Sequence, residues 1–258
     1  MKRIALRFLS LLICLLLWHL ASSNQVDLGF VSFKQLPSPE QVSSEALDLI
    51  HSKKFLAHLN ASILRVLSGF CLATVVGISL GLSIGRFAWA SNFLLPPLEM
   101  LRPIPAVAWI PLAILMFPSS EVSMIFITFT GALFPILLNT IHGVEAIDQR
   151  LIAAARSLGC KRGTLFYEII IPAAASNIFT GLAIGMGTAW FCLVSAEMIA
   201  GQFGLGYYTW SSYTIQNYPA IVVGMLLIGL LGMASSLLIR YVARLVMPWQ
   251  TLGVKPNG

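Results

Sequence analysis

Apolar residues come in long runs, each closed by a short polar stretch. Six runs approach the roughly 20 residues a helix needs to cross a bilayer core about 30 Å thick. They cover residues 4–21, 67–84, 104–117, 122–141, 174–199 and 220–239. The pattern predicts an all-α polytopic bundle of about six transmembrane helices. The third run is short and carries Pro103, Pro105 and Pro111, each lacking a backbone N–H. A membrane tolerates such a helix only where protein or water serves the freed backbone groups. It is therefore expected to be bent, packed inside the bundle, and extended toward the cytosol by residues 91–101.

The first run has two readings. Lys2, Arg3 and Arg7, an apolar stretch and Ala21-Ser22-Ser23 fit a retained span or a cleavable signal segment. Removal would leave five spans with the same orientation. Two connections are long. Residues 22–60 include Leu36-Pro37-Ser38-Pro39, after which Val42, Ala46, Leu47, Leu49 and Ile50 predict a short amphipathic helix. Residues 142–173 form the other. Residues 200–219, rich in Gly and Tyr, are expected as a re-entrant or interfacial segment, or an aromatic belt. No repeat or composition break divides the chain. A single unit spanning residues 1–258 is expected. Within it, residues 1–60 form an N-terminal segment, and residues 61–245 form a core carrying the loop 142–173.

Helices in lipid associate through close backbone approach. Gly69, Ala73, Gly77, Gly81 and Gly85 recur every four residues and make one small-residue stripe. Gly181, Gly185 and Gly187 in the fifth run, and Gly224, Gly229 and Gly232 in the sixth, offer others. Tight packing accounts for all of them, and smooth interfaces also let helices slide.

Composition sharpens this picture. Apolar residues make up 57% of the 258-residue chain and charged residues only 10%, against about 25% charged in soluble domains. Mean hydropathy is +0.85. So few charges cannot cover a water-exposed surface, which excludes a soluble enzyme, a disordered regulator or a nucleic-acid module. The net charge of +6 matters by its placement. With the amino terminus in the cytosol, Lys2, Arg3, Arg7, Arg86, Arg102, Arg150, Arg156, Lys161, Arg162, Arg240, Arg244 and Lys255 fall inside, and only Lys34, Lys53, Lys54 and Arg65 fall outside. The asymmetry predicts both termini cytoplasmic. Cys14, Cys71, Cys160 and Cys192 show no metal or disulfide spacing.

The inside loop carries the strongest local signals. Asp148 is a good N-cap. Leu151, Ala154, Ala155 and Leu158 fall on one helical face, and Gly159 suits the left-handed residue that ends a helix. Thr164 is placed to cap a second helix, and Pro172 marks a further break. The product is a short, positively flanked helix with a narrow apolar face. It suits docking into a groove of a partner or lying on the membrane surface.

This loop resembles the E-A-A signature of the permease subunits of bacterial ATP-binding cassette (ABC) importers. Ala154-Ala155, Gly159 and Ile171-Pro172 match it, while Ala153 stands where the family has an acidic residue. Alanine keeps the helix, being its best former. Further stretches resemble the branch that imports taurine, alkanesulfonates, nitrate, bicarbonate or cyanate. They are Leu36-Pro37-Ser38-Pro39, Arg102-Pro103-Ile104-Pro105 with Ile110-Pro111-Leu112, Phe134-Pro135-Ile136 with Asn139-Thr140, Ala155-Arg156-Ser157-Leu158-Gly159, Ser195-Ala196-Glu197-Met198 and Gly204-Leu205-Gly206-Tyr207. The resemblance implies a five-helix permease core plus an N-terminal span in the inner membrane. It implies that Asp148, Leu151, Ala154, Ala155, Arg156, Leu158, Gly159 and Pro172 belong to a coupling helix and its flanks, docked on a separate ABC ATPase. It also implies a second permease copy and a periplasmic or lipoprotein solute-binding protein. ATP and Mg would then be held by the partner, with no cofactor and no catalytic residue in this chain. The sequence agrees in having no G-x-x-x-x-G-K-[ST] phosphate loop.

Other residues remain candidates. Glu197 lies deep in the fifth run. It is expected to face the translocation path, or to be a structural carboxylate bonded to backbone or held near Arg65. Asn139, Thr188 and Ser195 are polar side chains within runs and are expected along the path. Arg102, read as near the cytosolic surface, suits an anionic solute or lipid phosphate. His19 and His142 have no metal spacing. The competing functions are a self-contained secondary transporter or channel, which would need inverted repeats with ionisable coupling groups, and an intramembrane enzyme, for which no G-x-S-x-G or H-E-x-x-H stands in the sequence. Membrane lipid is an expected partner and nucleic acid is not.

Overall fold

The computed structural model describes residues 2–251 other than 28, 30 and 31; the predicted inside position of Lys255 lies outside the described residues. The described chain is helical, with one isolated pairing of Asp27 with Ser32. Its helices are α1 (Lys2–Ser23), α2 (Pro39–His51), α3 (Phe55–Arg86), α4 (Ala88–Leu101), α5 (Ile110–Met116), α6 (Ser120–Glu145), α7 (Gln149–Ser157), α8 (Arg162–Thr164), α9 (Ile171–Ala200), α10 (Leu205–Thr214), α11 (Tyr218–Val246) and α12 (Pro248–Thr251). A 3-10 turn, Ala106–Trp109, precedes α5, and a wide π-helical turn, Leu165–Ile170, joins α8 to α9.

Four helical stretches are long and apolar enough to span a membrane: Phe55–Arg86, Ser120–Glu145, Arg162–Ala200 and Tyr218–Val246. The pair Ala88–Leu101 and Ala106–Met116, bent by 81°, passes the same test only when taken together, as a broken span or a re-entrant loop does. Apolar α1 adds a helix at the amino-terminal end. Five of the six runs lie within single helices, the run 104–117 is divided between a 3-10 turn and α5, and the ends of all of them move. The 32-residue α3 is about 48 Å long and begins twelve residues before the expected run. Every backbone group in lipid must find its partner within the helix, so the helix extends past its most apolar core.

α6 is the centre of the bundle. α3 lies along one side of it with the glycine stripe inward. A Cβ on Gly69 would meet Thr128, on Gly77 Ile136, on Gly81 Thr140 and on Gly85 Val144. The two series advance together, so the helices are parallel and in register over four turns. The other side of α6 meets α9 antiparallel, Gly131 against Cys192, Gly143 against Asn177 and Gly181 against Asn139. Gly187 and Gly229, also expected as packing glycines, face open space. Gly81→Ala would place its methyl 2.5 Å from Thr140 Cβ, and overpacking of this kind costs about 1–3 kcal/mol. It is expected to lower the thermal midpoint of the purified protein in detergent, with Gly187→Ala leaving it unchanged. Equal midpoints would show that α3 and α6 do not meet this way.

The proline-bearing run is bent, as expected, and α4 precedes it. α4 leaves the end of α3 at Phe87, with Phe87 N–H donating to the Ser83 carbonyl. Ala90, Leu94, Leu95 and Leu98 then pack with Leu80, Ile84, Phe134, Leu137 and Ile141. Pro96 and Pro97 are accommodated inside it. Residues 91–101 thus belong to α4, which extends the proline-bearing run alongside the end of α3. The break falls at 102–105, where Pro103 and Pro105 remove two donors.

The segment before α3 folds as predicted at its helix. Ser38 caps α2 and Gln41 completes the reciprocal capping box. Val42 and Leu49 are buried against Val223 of α11, with Ala46 beside them, while Leu47 and Ile50 point outward. Trp18 and Ser22 at the end of α1 donate to the Pro37 and Leu36 carbonyls, which ties α1 to this segment. α10 forms in the Gly- and Tyr-rich stretch with Leu205, Gly206, Thr209 and Ser212 buried between α9 and α11, and with Trp210 and Tyr213 exposed.

Candidate functional site

The inside loop is built from local capping. Asp148 caps α7, its carboxylate accepting from Arg150 N–H at 2.8 Å. At the other end Gly159 has φ +78, Gly159 N–H donates to Arg156 and Cys160 N–H reaches back to the Ala155 carbonyl. This double closure satisfies the last carbonyls of the helix, and a glycine takes that φ without a Cβ penalty. The nine-residue helix is thereby fixed at both ends.

Its orientation corrects one expectation. Ala155 is buried, packed with Val144, Ile147, Leu165, Ile170, Ala174 and Ile178, with Ile152 beside it. Ala155 therefore belongs to the inward face. The outward apolar face is Leu151 at 50% exposure and Leu158 at 88%, with exposed Ala154 between them and Arg156 and Arg150 beside. At about 100° per residue Ala155 lies at the edge of that stripe, and Ile152 draws it inward.

Two further expectations fail in the chain after α7. Thr164 caps nothing and sits inside a continuing helix. Pro172 does not break the chain, because it falls in the first turn of α9 directly after the π turn. The widened turn re-partners carbonyls that the missing proline N–H would orphan. One helical stretch, Arg162–Ala200, thus connects the loop to the far end of the bundle.

At that far end lies a charge cluster assembled from five segments. Arg65 of α3 is 3% exposed and Glu197 of α9 is 0% exposed. The Arg65 guanidinium donates to Glu197 at 2.8 Å and to the Phe203 carbonyl at 2.7 Å. Its other edge grips Glu121, at the start of α6, in a two-pronged pair. Glu197 also accepts from Ser62 Oγ at 2.8 Å and from Gly206 N–H at 2.9 Å. Ser62 in turn accepts from Leu205 N–H, and Gly204 N–H meets His58 Nδ1. A Cβ on Gly204 would land on the Glu197 carboxyl group, and Gly204 has φ +124, so only glycine fits there. The motif Gly204-Leu205-Gly206 seats α10 on this carboxylate. Such a cluster is expensive unless every group is partnered, and here the partners are complete.

The path residues divide. Of the two expectations for Glu197, facing the path or a structural carboxylate near Arg65, the described chain fits the second, since the residue is fully buried and bonded to Arg65. Asn139 lies in the α6–α9 seam, donating to the Pro135 carbonyl at 2.8 Å and packed on Gly181. Thr188 and Ser195 are half-exposed on α9, on the side of Ile184 and Phe191, which are exposed, and their hydroxyls bond back to their own helix. Arg102 stands exposed at the break between α4 and the 3-10 turn that precedes α5. Glu99 stands one turn before it on α4 and is also exposed. Sequence reasoning missed Ser62, Glu121 and Gly206 as one cluster. The available signal was two opposite charges, Arg65 and Glu197, at the same predicted end of two spans.

Comparison with known proteins places these features together. A family profile described as the binding-protein-dependent transport system inner membrane component matches residues 73–251. The chain is 41% identical over 192 residues to a Methanocaldococcus jannaschii protein named as an ABC transporter permease, covering 74% of this chain and 72% of that one. It is 33% identical over 245 residues to the nitrate import permease NrtB of Synechocystis, 92% of this chain and 86% of the relative. It is 30% identical over 253 residues to the taurine transport system permease TauC of Escherichia coli, 96% and 90% of the two.

Proposed function

The chain belongs to the family of binding-protein-dependent transport inner-membrane components, the permease subunits of ABC importers, and from this membership we propose that two copies of it enclose a path for a small oxyanion. It is a multi-pass membrane protein of the inner membrane. The proposal adds the solute, the pairing and the source of energy. Nitrate and taurine are carried in the names of relatives aligned over nine-tenths of this chain. A nitrate and a sulfonate share a compact, weakly basic oxyanion head, and this chain's solute is of that kind. A solute-binding protein delivers it to the end of the bundle where Arg65 and Glu197 lie. A separate ATPase, holding ATP and Mg, grips α7 at the other end. Both termini are cytoplasmic in this arrangement, and lipid covers the outward apolar faces of α1 and α11.

The observation that carries the reading is the outward face of α7. Leu151, Ala154 and Leu158 turn away from the rest of the bundle, yet the helix presenting them is capped at both ends. An apolar face held rigid in water is a docking surface. Beneath it Ala155 and Ile152 pack on the start of the Arg162–Ala200 helix, so a push on α7 is delivered to a spanning helix rather than absorbed by a loop. Closure of two ATPase subunits would thereby tilt spans and exchange inward for outward access.

Proteoliposomes holding this chain, its ATPase and its binding protein are expected to accumulate nitrate or taurine only with ATP and all three components. Uptake by the chain alone in a sealed vesicle would overturn the proposal.

A further inference from the structure

We propose that Arg102 is the anion-binding group at mid-depth in the translocation path, taking the oxyanion head of the solute at the break of the bent span; this rests on the anion reading above. The depth follows from packing. Leu98 and Leu101, in the turn that ends at Arg102, line a cavity of about 170 Å³ with Trp109, Phe126, Phe129, Thr130, Leu133 and Phe134. Residues 126–134 are the seventh to fifteenth of the 26 residues of α6, centred just short of its midpoint. Arg102 therefore stands near the centre of a hydrocarbon layer about 30 Å thick, roughly 15 Å from either surface. Three methylenes and a guanidinium cannot snorkel that far.

The guanidinium is nevertheless exposed, and among the described residues it has no hydrogen bond or ion pair. The contrast with Arg65 is direct, since that arginine is enclosed and doubly paired. A bare charge at this depth is tolerated only beside water or a counter-ion. The backbone gives the same answer independently. Residues 102–105 are non-helical, with two prolines, and all four are exposed. Irregular backbone at membrane depth survives only where protein buries it or where it lines a water-filled cavity. This chain does not bury it, so the bend faces water between two copies rather than lipid. Glu99, one turn earlier and also exposed, places a second charge in the same neighbourhood, as a wet path permits and a lipid face does not.

The bend also fixes the backbone that carries the arginine. Pro103 and Pro105 restrict the backbone, Ile104 N–H closes on the Leu101 carbonyl and Ala108 N–H on Pro105. The turn that follows seats Ala106, Val107 and Trp109 against the core formed with Met186 and Ala189 of α9. Carried in this way, a guanidinium offers two parallel N–H donors to a planar nitrate or a tetrahedral sulfonate. A single site suits conduction, holding the anion strongly enough to draw it in and weakly enough to let it leave.

The test uses the complete importer in proteoliposomes with nitrate and taurine as probes. Arg102→Gln is expected to cut uptake of the transported anion at least tenfold while basal ATP hydrolysis stays within twofold, and Arg102→Lys to keep a larger share of uptake than Arg102→Gln. Unchanged uptake in Arg102→Gln overturns the proposal. A second measurement covers a variant that fails to assemble. In membranes, Arg102→Cys is expected to react with the anionic thiol reagent methanethiosulfonate ethylsulfonate above the wild-type background, because thiolate chemistry needs water. Absence of that reaction places the bend in lipid and overturns the proposal. A wild-type importer that carries neither anion sinks the oxyanion reading instead, and uptake of a neutral solute unaffected by Arg102→Gln would sink this one with it.

Discussion

Arg65→Met is expected to destabilise the chain more than any other single change at the outer end of the bundle. The substitution leaves Glu197 wholly buried with Ser62 and Gly206 as its remaining donors, and it strands the Phe203 carbonyl. Removing one partner of a buried ion pair costs about 3–5 kcal/mol, because the other charge stays in a medium that cannot solvate it. The thermal midpoint in detergent should fall well below wild type, with loss of the monodisperse peak on size exclusion. Adding Glu197→Gln to Arg65→Met should recover some of the loss, since the stranded charge is then gone while its hydrogen-bonding shape persists. A single variant as stable as wild type would show that the cluster does not hold α3, α6, α9 and α10 together. Non-additivity of the two changes is the signature of direct coupling.

Loss of transport without loss of folding is the expected result of charging α7. Leu151→Asp and Leu158→Asp alter side chains that are 50% and 88% exposed and that the chain's own core does not use. Thermal stability should stay at the wild-type value. Binding to the ATPase subunit should weaken by at least about 2 kcal/mol for each change, roughly 30-fold, because an apolar anchor is lost and a carboxylate must be desolvated in a groove. Ala155→Asp is the informative contrast. Its side chain is buried beneath the helix, so it should lower stability as well as binding. Co-purification with the ATPase, read beside a melting curve, separates the two. If Leu158→Asp retained the ATPase fully, α7 would not be the gripped element.

The two predictions differ in how visible their residues were in the sequence. α7 was legible almost completely: Asp148 as its cap, Gly159 as its end and Leu151 and Leu158 on one face all follow from interactions within a few residues. The stripe from Gly69 to Gly85 was equally plain, because a four-residue repeat of small side chains is a local pattern. What was not legible was which side of α7 turns inward, since Ala155 is drawn down by Ile170 and Ala174 of a later helix. Thr164 and Pro172 misled for a related reason. Their local propensities signal a start and a break, and a π turn allowed the helix to run through both.

The amino-acid sequence by itself determined that this is a membrane bundle, the order of its spans and the caps of its coupling helix. Those depend on apolar run length, periodicity and hydrogen bonds closed within one turn. Only the tertiary structure decided that Glu197 is clasped by Arg65, 132 residues away, and that Arg102 stands exposed at a sharp bend between two helices. Ion-pair partners and the placement of a charge depend on how the chain turns at Phe87 and on which faces α3, α6 and α9 present to one another. That choice is made by packing across the whole bundle, and no short stretch of sequence contains it.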